Sequence, residues 1–153
     1  MLSQAVGYAA IALGYVAAAG GKPVLIKEIA EAAEIPAPYL AKIIQSLARK
    51  SLVFTQRGIG GGVTLARPAD QITLYELCVA LDDPAVQQRC MLGVAQCSDE
   101  RACPAHRFWS QHRARQIEFL QRMSVADVAA FETRRRWKAM NPSPSPAAEP
   151  DNK

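Results

Sequence analysis

Six residues, Arg57-Gly58-Ile59-Gly60-Gly61-Gly62, constrain the fold of this chain more than any other stretch. Glycine at four of six positions leaves the backbone with little side chain to bury, so the segment is a turn. Two short runs of strand-forming residues flank it, Leu52-Val53-Phe54-Thr55 before and Val63-Thr64-Leu65-Ala66 after, which makes a β-hairpin with a glycine-rich tip. Glycine-rich loops that cradle nucleotide phosphates lead from a strand into a helix, whereas this one lies between two strands.

The hairpin follows three helical segments. Val6, Ala9, Ala10, Leu13 and Val16 share one face at helical spacing until Gly20-Gly21 stops the run. A second helix is predicted over about residues 25–33, with Ile26, Ile29, Ala30 and Ala33 inward, and a tight turn at Glu34-Ile35 ends it. The third is predicted over residues 36–51. Pro36 and Pro38 suit its first turn, where a missing N–H has no partner to lose, and Leu40, Ile43, Ile44 and Leu47 form its buried stripe.

Two helices joined by a tight turn, the second carrying exposed Lys, Gln and Arg, read as a helix-turn-helix, and a hairpin directly behind them gives the winged-helix order. In that order the second helix enters a major groove and the wing tip reaches backbone or minor groove. The DNA-facing set is then Tyr39, Ala41, Lys42, Gln45, Ser46 and Arg49, joined by Arg57 with Gly58 and Gly60 at the tip, where glycines let a guanidinium and its backbone come close to a narrow groove. The bland reading of Arg57 is an exposed hairpin arginine. Net charge is only +4, but residues 36–69 hold Lys42, Arg49, Lys50, Arg57 and Arg67 with no acidic residue. That distribution suits a phosphate-facing surface, although a solvated basic face has the same charge.

Downstream, Thr73-Leu74-Tyr75-Glu76 has capping-box form and opens a helix through Leu81. Pro104 opens a long helix to about Arg122, with Trp109, Ile117, Leu120 and Met123 along an apolar stripe, and Ser124-Val125-Ala126-Asp127 starts another. From Asn141 a Pro/Ser-rich tail cannot bury enough surface to offset its ordering entropy. The fold class is therefore mainly α with a small β-hairpin: a winged helix-turn-helix domain over residues 1–83, a ligand-bearing loop over 84–103, a long helix, expected to be the dimerisation helix, and a C-terminal helix over 104–140, and a disordered tail over 141–153. At 153 residues, half of them hydrophobic, the chain can bury one core. Its most apolar run, residues 6–19, is too short for a membrane span and has nothing basic before it, so no membrane association, no signal peptide and a cytoplasmic location are expected. With two histidines and no nucleophile, base and acid in recognisable spacing, an enzyme is not expected.

Three of the four cysteines fall in the loop, as Cys90-x6-Cys97-x5-Cys103-x2-His106. In a reducing compartment this pattern points away from a disulfide framework and toward metal ligation or thiol chemistry. Thiolates are soft ligands for iron–sulfur clusters or zinc, and the spacing differs from the short paired knuckles of structural zinc sites. Cluster, zinc and unliganded thiols all stay open on the chemistry alone. His112, about 9 Å further along the helix than His106, is a weaker candidate ligand. Cys78, within Leu77-Cys78-Val79-Ala80-Leu81, reads as a small core residue.

Several strings resemble one family, the winged-helix regulators typified by the iron–sulfur cluster regulator IscR and the nitric-oxide sensor NsrR. They are Tyr39-Leu40, Leu47-Ala48-Arg49-Lys50-Ser51-Leu52-Val53, the Arg57–Gly62 wing and residues 72–81, within a match over about residues 2–130. The resemblance implies a homodimer on a two-fold-related, double-stranded operator, with the helix after Cys103 as the dimer element. It also implies a transcriptional regulator, most simply a repressor, with a cluster on Cys90, Cys97, Cys103 and His106. Relatives that hold a 4Fe–4S cluster recruit a carboxylate from the partner's first helix. This chain has no acidic residue before Glu28, and Gly7 stands near the place required, which favours a 2Fe–2S cluster. Two departures are visible. The recognition helix opens on prolines rather than a capping Ser or Thr, so first-turn base contacts do not carry over, and the gap between the first two cysteines is one residue longer than the family's. The rival readings are a cluster-free or zinc-bound thiol-sensing repressor and, in another class, an iron–sulfur carrier or electron-transfer protein.

Overall fold

The structure, a computed structural model, describes residues 1–93, 95–101 and 103–140, with side chains described as far as Arg135. The predicted disordered tail, residues 141–153, lies outside the described residues.

The elements run α1 (Gln4–Ala18), α2 (Ile26–Ala33), α3 (Ala37–Arg49), β1 (Val53–Gln56), β2 (Gly62–Leu65), α4 (Leu74–Ala80), α5 (His106–Arg122) and α6 (Val125–Met140), with short 3-10 turns at Ala69–Gln71, Pro84–Val86 and Asp99–Arg101. The molecule is thus mostly helical with one antiparallel hairpin, in register Val53 with Leu65 and Gln56 with Gly62. The third helix starts one residue later than its apolar period predicts, because Pro36 is extended at φ −57° and ψ 122° and serves as its N-cap. It ends two residues earlier because Ser51 turns left-handed at φ 57°, letting the Leu52 amide close onto the Leu47 carbonyl at 3.1 Å. Glu34, also left-handed at φ 55°, makes the sharp corner between α2 and α3, where the Ile35 amide donates to the Ala30 carbonyl at 2.9 Å. The predicted capping box is complete, with Thr73 and Glu76 each bonding the other's backbone amide.

One core holds these elements together. Val6, Leu13, Ile29, Leu40, Ile44, Leu47, Val53, Val63, Ile72, Leu77, Leu120 and Val125 are all at most 2% exposed. Val24, just before α2, pairs with Val63 through two backbone bonds of 3.1 and 2.8 Å and fixes the hairpin to the helix pair. Gly62 permits this approach, since a Cβ there would lie 2.7 Å from the Val24 carbonyl oxygen and its φ is +145°. After α5 the chain returns: the Val125 amide bonds the Ile72 carbonyl, and α6 lies along α1, where a Cβ on Gly14 would touch the Ala129 backbone at 3.4 Å. Among α5 residues only Leu120 is buried, so this helix stands largely outside the core.

A candidate DNA interface and a candidate metal centre

On α3 the buried stripe of Leu40, Ile43, Ile44 and Leu47 turns the opposite face outward, so that Lys42, Gln45 and Arg49 are exposed. Ala41, Lys42, Gln45 and Ala48 form one wall of a cleft of about 510 Å³, and Thr55, Gln56, Arg57 and Gly58 of the hairpin form the other. Five of the nine sequence-predicted DNA-facing residues thus line one concave surface: Ala41, Lys42, Gln45, Arg57 and Gly58. Ser46 and Arg49 sit on the adjoining ridge, where the Arg49 guanidinium donates to the Ser46 hydroxyl at 3.3 Å. Tyr39 lies on the far flank, 37% exposed, edge-on to Tyr8 of α1 at 5.9 Å between ring centres. Gly58 and Gly60 hold φ +91° and +75° in open space, and the Gly61 amide closes the tip onto the Gly58 carbonyl at 3.0 Å. Ala48, Thr55 and Gln56 were not legible as cleft residues, because their position depends on how the hairpin packs across α3.

The loop beyond α4 is held by few bonds. Cys90 donates its amide to Ala95 at 2.8 Å and Cys97 to Gln88 at 3.2 Å, with Arg89 and Gln96 bridged between them. The His106 amide bonds the Cys103 carbonyl at 2.9 Å and leads into α5. These ties bring the sequence-predicted ligands together as two pairs. Cys90 Sγ lies 3.8 Å from Cys103 Sγ, and Cys97 Sγ lies 3.2 Å from His106 Nδ1. Among the described residues no three Cys, His, Asp or Glu side chains gather around a single point.

The donors suit a soft metal centre in chemistry, and one pair, Cys90 and Cys103, suits it in spacing. Two thiolates about 2.3 Å from one tetrahedral metal stand about 3.8 Å apart, which is the Cys90–Cys103 separation. His106 Nε2 meets Asp99 Oδ1 at 2.8 Å, and because a carboxylate oxygen accepts, Nε2 donates there while Nδ1 faces Cys97. Sequence spacing gives no reason to single out Asp99; its only signal is a carboxylate lying between two ligands. Trp109, which spacing places on the apolar stripe of α5, also has a polar role that spacing does not give: its indole N–H donates to the Arg89 carbonyl at 2.8 Å, pinning the residue before Cys90 onto α5. His112 is stacked on Phe108 and Trp109, at 6.0 and 5.5 Å, rather than placed among the thiols.

Asp83, 1% exposed, marks where the loop leaves the core. Its two oxygens accept the Ser3 and Ala85 amides, both at 2.8 Å. Burial pushes this carboxyl up, but the Ser3 side chain, the Ala85 and Ser3 amides and the terminal ammonium outweigh it and hold it below the usual aspartate range. Beneath it Cys78 is fully buried, and burial, reinforced by the Asp83 charge, pushes its thiol up to about 11. It is a core thiol.

Comparison with known proteins agrees with this architecture. Residues 2–130 match the model of the Rrf2 family, described as iron-dependent transcriptional regulators, and the chain belongs to that family. It is 34% identical over 126 residues to the HTH-type transcriptional regulator IscR of Sodalis glossinidius, covering 82% of this chain and 76% of the relative. The fold resembles CymR, the global cysteine regulator of B. subtilis, with TM-score 0.70 and 25% identity over 86% of this chain and 97% of that one. It also resembles IscR of T. potens, with TM-score 0.65 and 22% identity over 95% and 93%. The chain is a DNA-binding transcriptional regulator of the Rrf2 family rather than an enzyme. No helix among the described residues is long and apolar enough to cross a membrane.

Proposed function

We propose that this regulator acts as a cytoplasmic homodimer, a repressor in the simplest case, whose operator affinity is set by a 2Fe–2S cluster held on Cys90, Cys97, Cys103 and His106. The observation that carries the reading is the two-by-two arrangement of donors, since a two-iron cluster takes two protein ligands on each iron. When bound, the cluster supplies one-electron redox chemistry. The chain's own residues orient its ligands: Asp99 fixes the His106 ring and Trp109 fixes the backbone before Cys90.

On the DNA side, Lys42, Gln45 and Arg49 face a major groove, flanked by Tyr39, Ala41 and Ser46, while Arg57 with Gly58 and Gly60 reaches the adjacent backbone or minor groove. A physical route joins the two sites. Asp83 ties the start of the loop to Ser3, Ser3 caps α1, and Tyr8 of α1 rests against Tyr39 of the recognition helix. Reordering of the loop thereby changes how α3 is supported, and a difference in DNA affinity between the two loop states makes the protein a sensor.

A second copy of the chain fits the face of α5 and α6. Phe108, Phe119 and Phe131 are exposed there, and Phe119 and Phe131 line an apolar groove of about 520 Å³ with Leu74, Met123 and Val128. Iron and acid-labile sulfide measured on anaerobically purified protein test the cluster reading. Equal iron and sulfide, with a visible spectrum that His106→Ala alters, supports it; zinc, or a colourless protein without iron or sulfide, removes it.

A further inference from the structure

We propose that in the cluster-free protein Cys90 and Cys103 form a reversible intrachain disulfide that leaves Cys97 out. This goes beyond the cluster reading, because it concerns the metal-free chain. The two sulfurs are 3.8 Å apart at two half-buried positions, so a disulfide bond needs a closure of about 1.8 Å. Backbone bonds hold the two cysteines near one another in this arrangement, Cys90 through Ala95 and the neighbouring Trp109–Arg89 contact, and Cys103 through the bond from the His106 amide. Cys97 is turned away onto Nδ1 of His106, whose other nitrogen is taken by Asp99. Cys78 is fully buried and its thiol is held protonated, so it neither reaches the loop nor supplies thiolate.

The oxidant is a low-molecular-weight disulfide such as oxidised glutathione. The Cys90 thiolate attacks it, forming a mixed disulfide and releasing one glutathione thiolate. The Cys103 thiolate then attacks the Cys90 sulfur and releases the second. Two protein thiols lose two electrons and two protons, and one glutathione disulfide becomes two thiols. The bond removes two of the four candidate ligands, so the oxidised chain cannot take up a cluster until it is reduced.

The test uses the full chain, stripped of metal by a chelator and equilibrated anaerobically in glutathione buffers of graded ratio. Free thiols are trapped by alkylation before trypsin cleavage. Cleavage after Arg89, Arg101 and Arg107 puts Cys90 and Cys97 on one peptide and Cys103 on another. The expected product is these two peptides joined with Cys97 alkylated, formed also by Cys97→Ser and lost in Cys90→Ser, with iron uptake abolished and restored by dithiothreitol. A link that includes Cys97, a link between chains, or thiols still reduced at the most oxidising ratio overturns the proposal. A protein that forms this disulfide yet never takes up iron and sulfide refutes only the cluster reading, and one that takes up the cluster but pairs other thiols refutes only this one.

Discussion

Residues 24–65 and residues 84–103 differ in what holds them in shape. In the first, Val24, Ile29, Leu40, Ile44, Leu47, Val53 and Val63 are buried in one core, and Gly62 lets the hairpin backbone close on Val24, so the cleft between α3 and the wing is shaped by core packing. In the second, neither 3-10 turn contains a buried residue, and among the described residues the shape rests mostly on polar bonds, among them Cys90 to Ala95, Cys97 to Gln88, Trp109 to Arg89 and His106 to Asp99. A segment with few buried apolar contacts opens at low free energy. The reading surface is therefore rigid in advance, and the ligand loop is the part whose order another agent can supply or withdraw.

The largest test of that contrast is Leu47→Ala set against serine replacement of Cys90, Cys97 and Cys103 in metal-free protein. The buried leucine is expected to cost about 3 kcal/mol by urea unfolding, whereas the triple serine variant should leave the midpoint unmoved. Equal losses would break the contrast. Next comes Arg57→Ala, which should weaken operator DNA binding about tenfold or more and lower the salt dependence by about one counterion. Its dimer and its unfolding midpoint should stay unchanged, as measured by sedimentation and urea titration.

Asp83→Asn probes the junction between the two regions and should cost about 1–2 kcal/mol near neutral pH, because an amide presents an N–H to one of two backbone donors. Since the native carboxyl is depressed below its unfolded value, its stabilisation is present above the ordinary aspartate range of about 3.9 and fades as pH falls through the lower native value. The gap between wild type and variant should accordingly close in acid; a gap independent of pH would assign the effect to packing. The smallest expected effect is that of Asp99→Asn, whose exposed side chain should leave metal-free stability unchanged while shifting the visible spectrum of the iron-loaded protein. An unchanged spectrum would remove Asp99 from the ligand environment.

Much of the secondary structure was legible in advance because its signals are local. Helical apolar spacing marked α1 to α3, Thr73 and Glu76 announced the start of α4, and four glycines between two β runs announced the hairpin. The three loop cysteines and His106 were legible as chemistry, though not as a geometry. Asp99 escaped notice, and Trp109 was read only as part of an apolar helix stripe, because neither contact with the loop exists until the loop folds back on α5.

By itself the sequence determined which segments are helical, where the backbone must turn, and which residues carry charge or soft donors, since each depends on neighbours within a few positions. Tertiary structure alone decided that α6 lies along α1, that Asp83 accepts from Ser3 across 80 residues, and that Cys90 faces Cys103 while Cys97 faces His106. Those pairings follow from how the buried faces of separate helices fit together, and that fit is a property of the whole core, which no short window of residues contains.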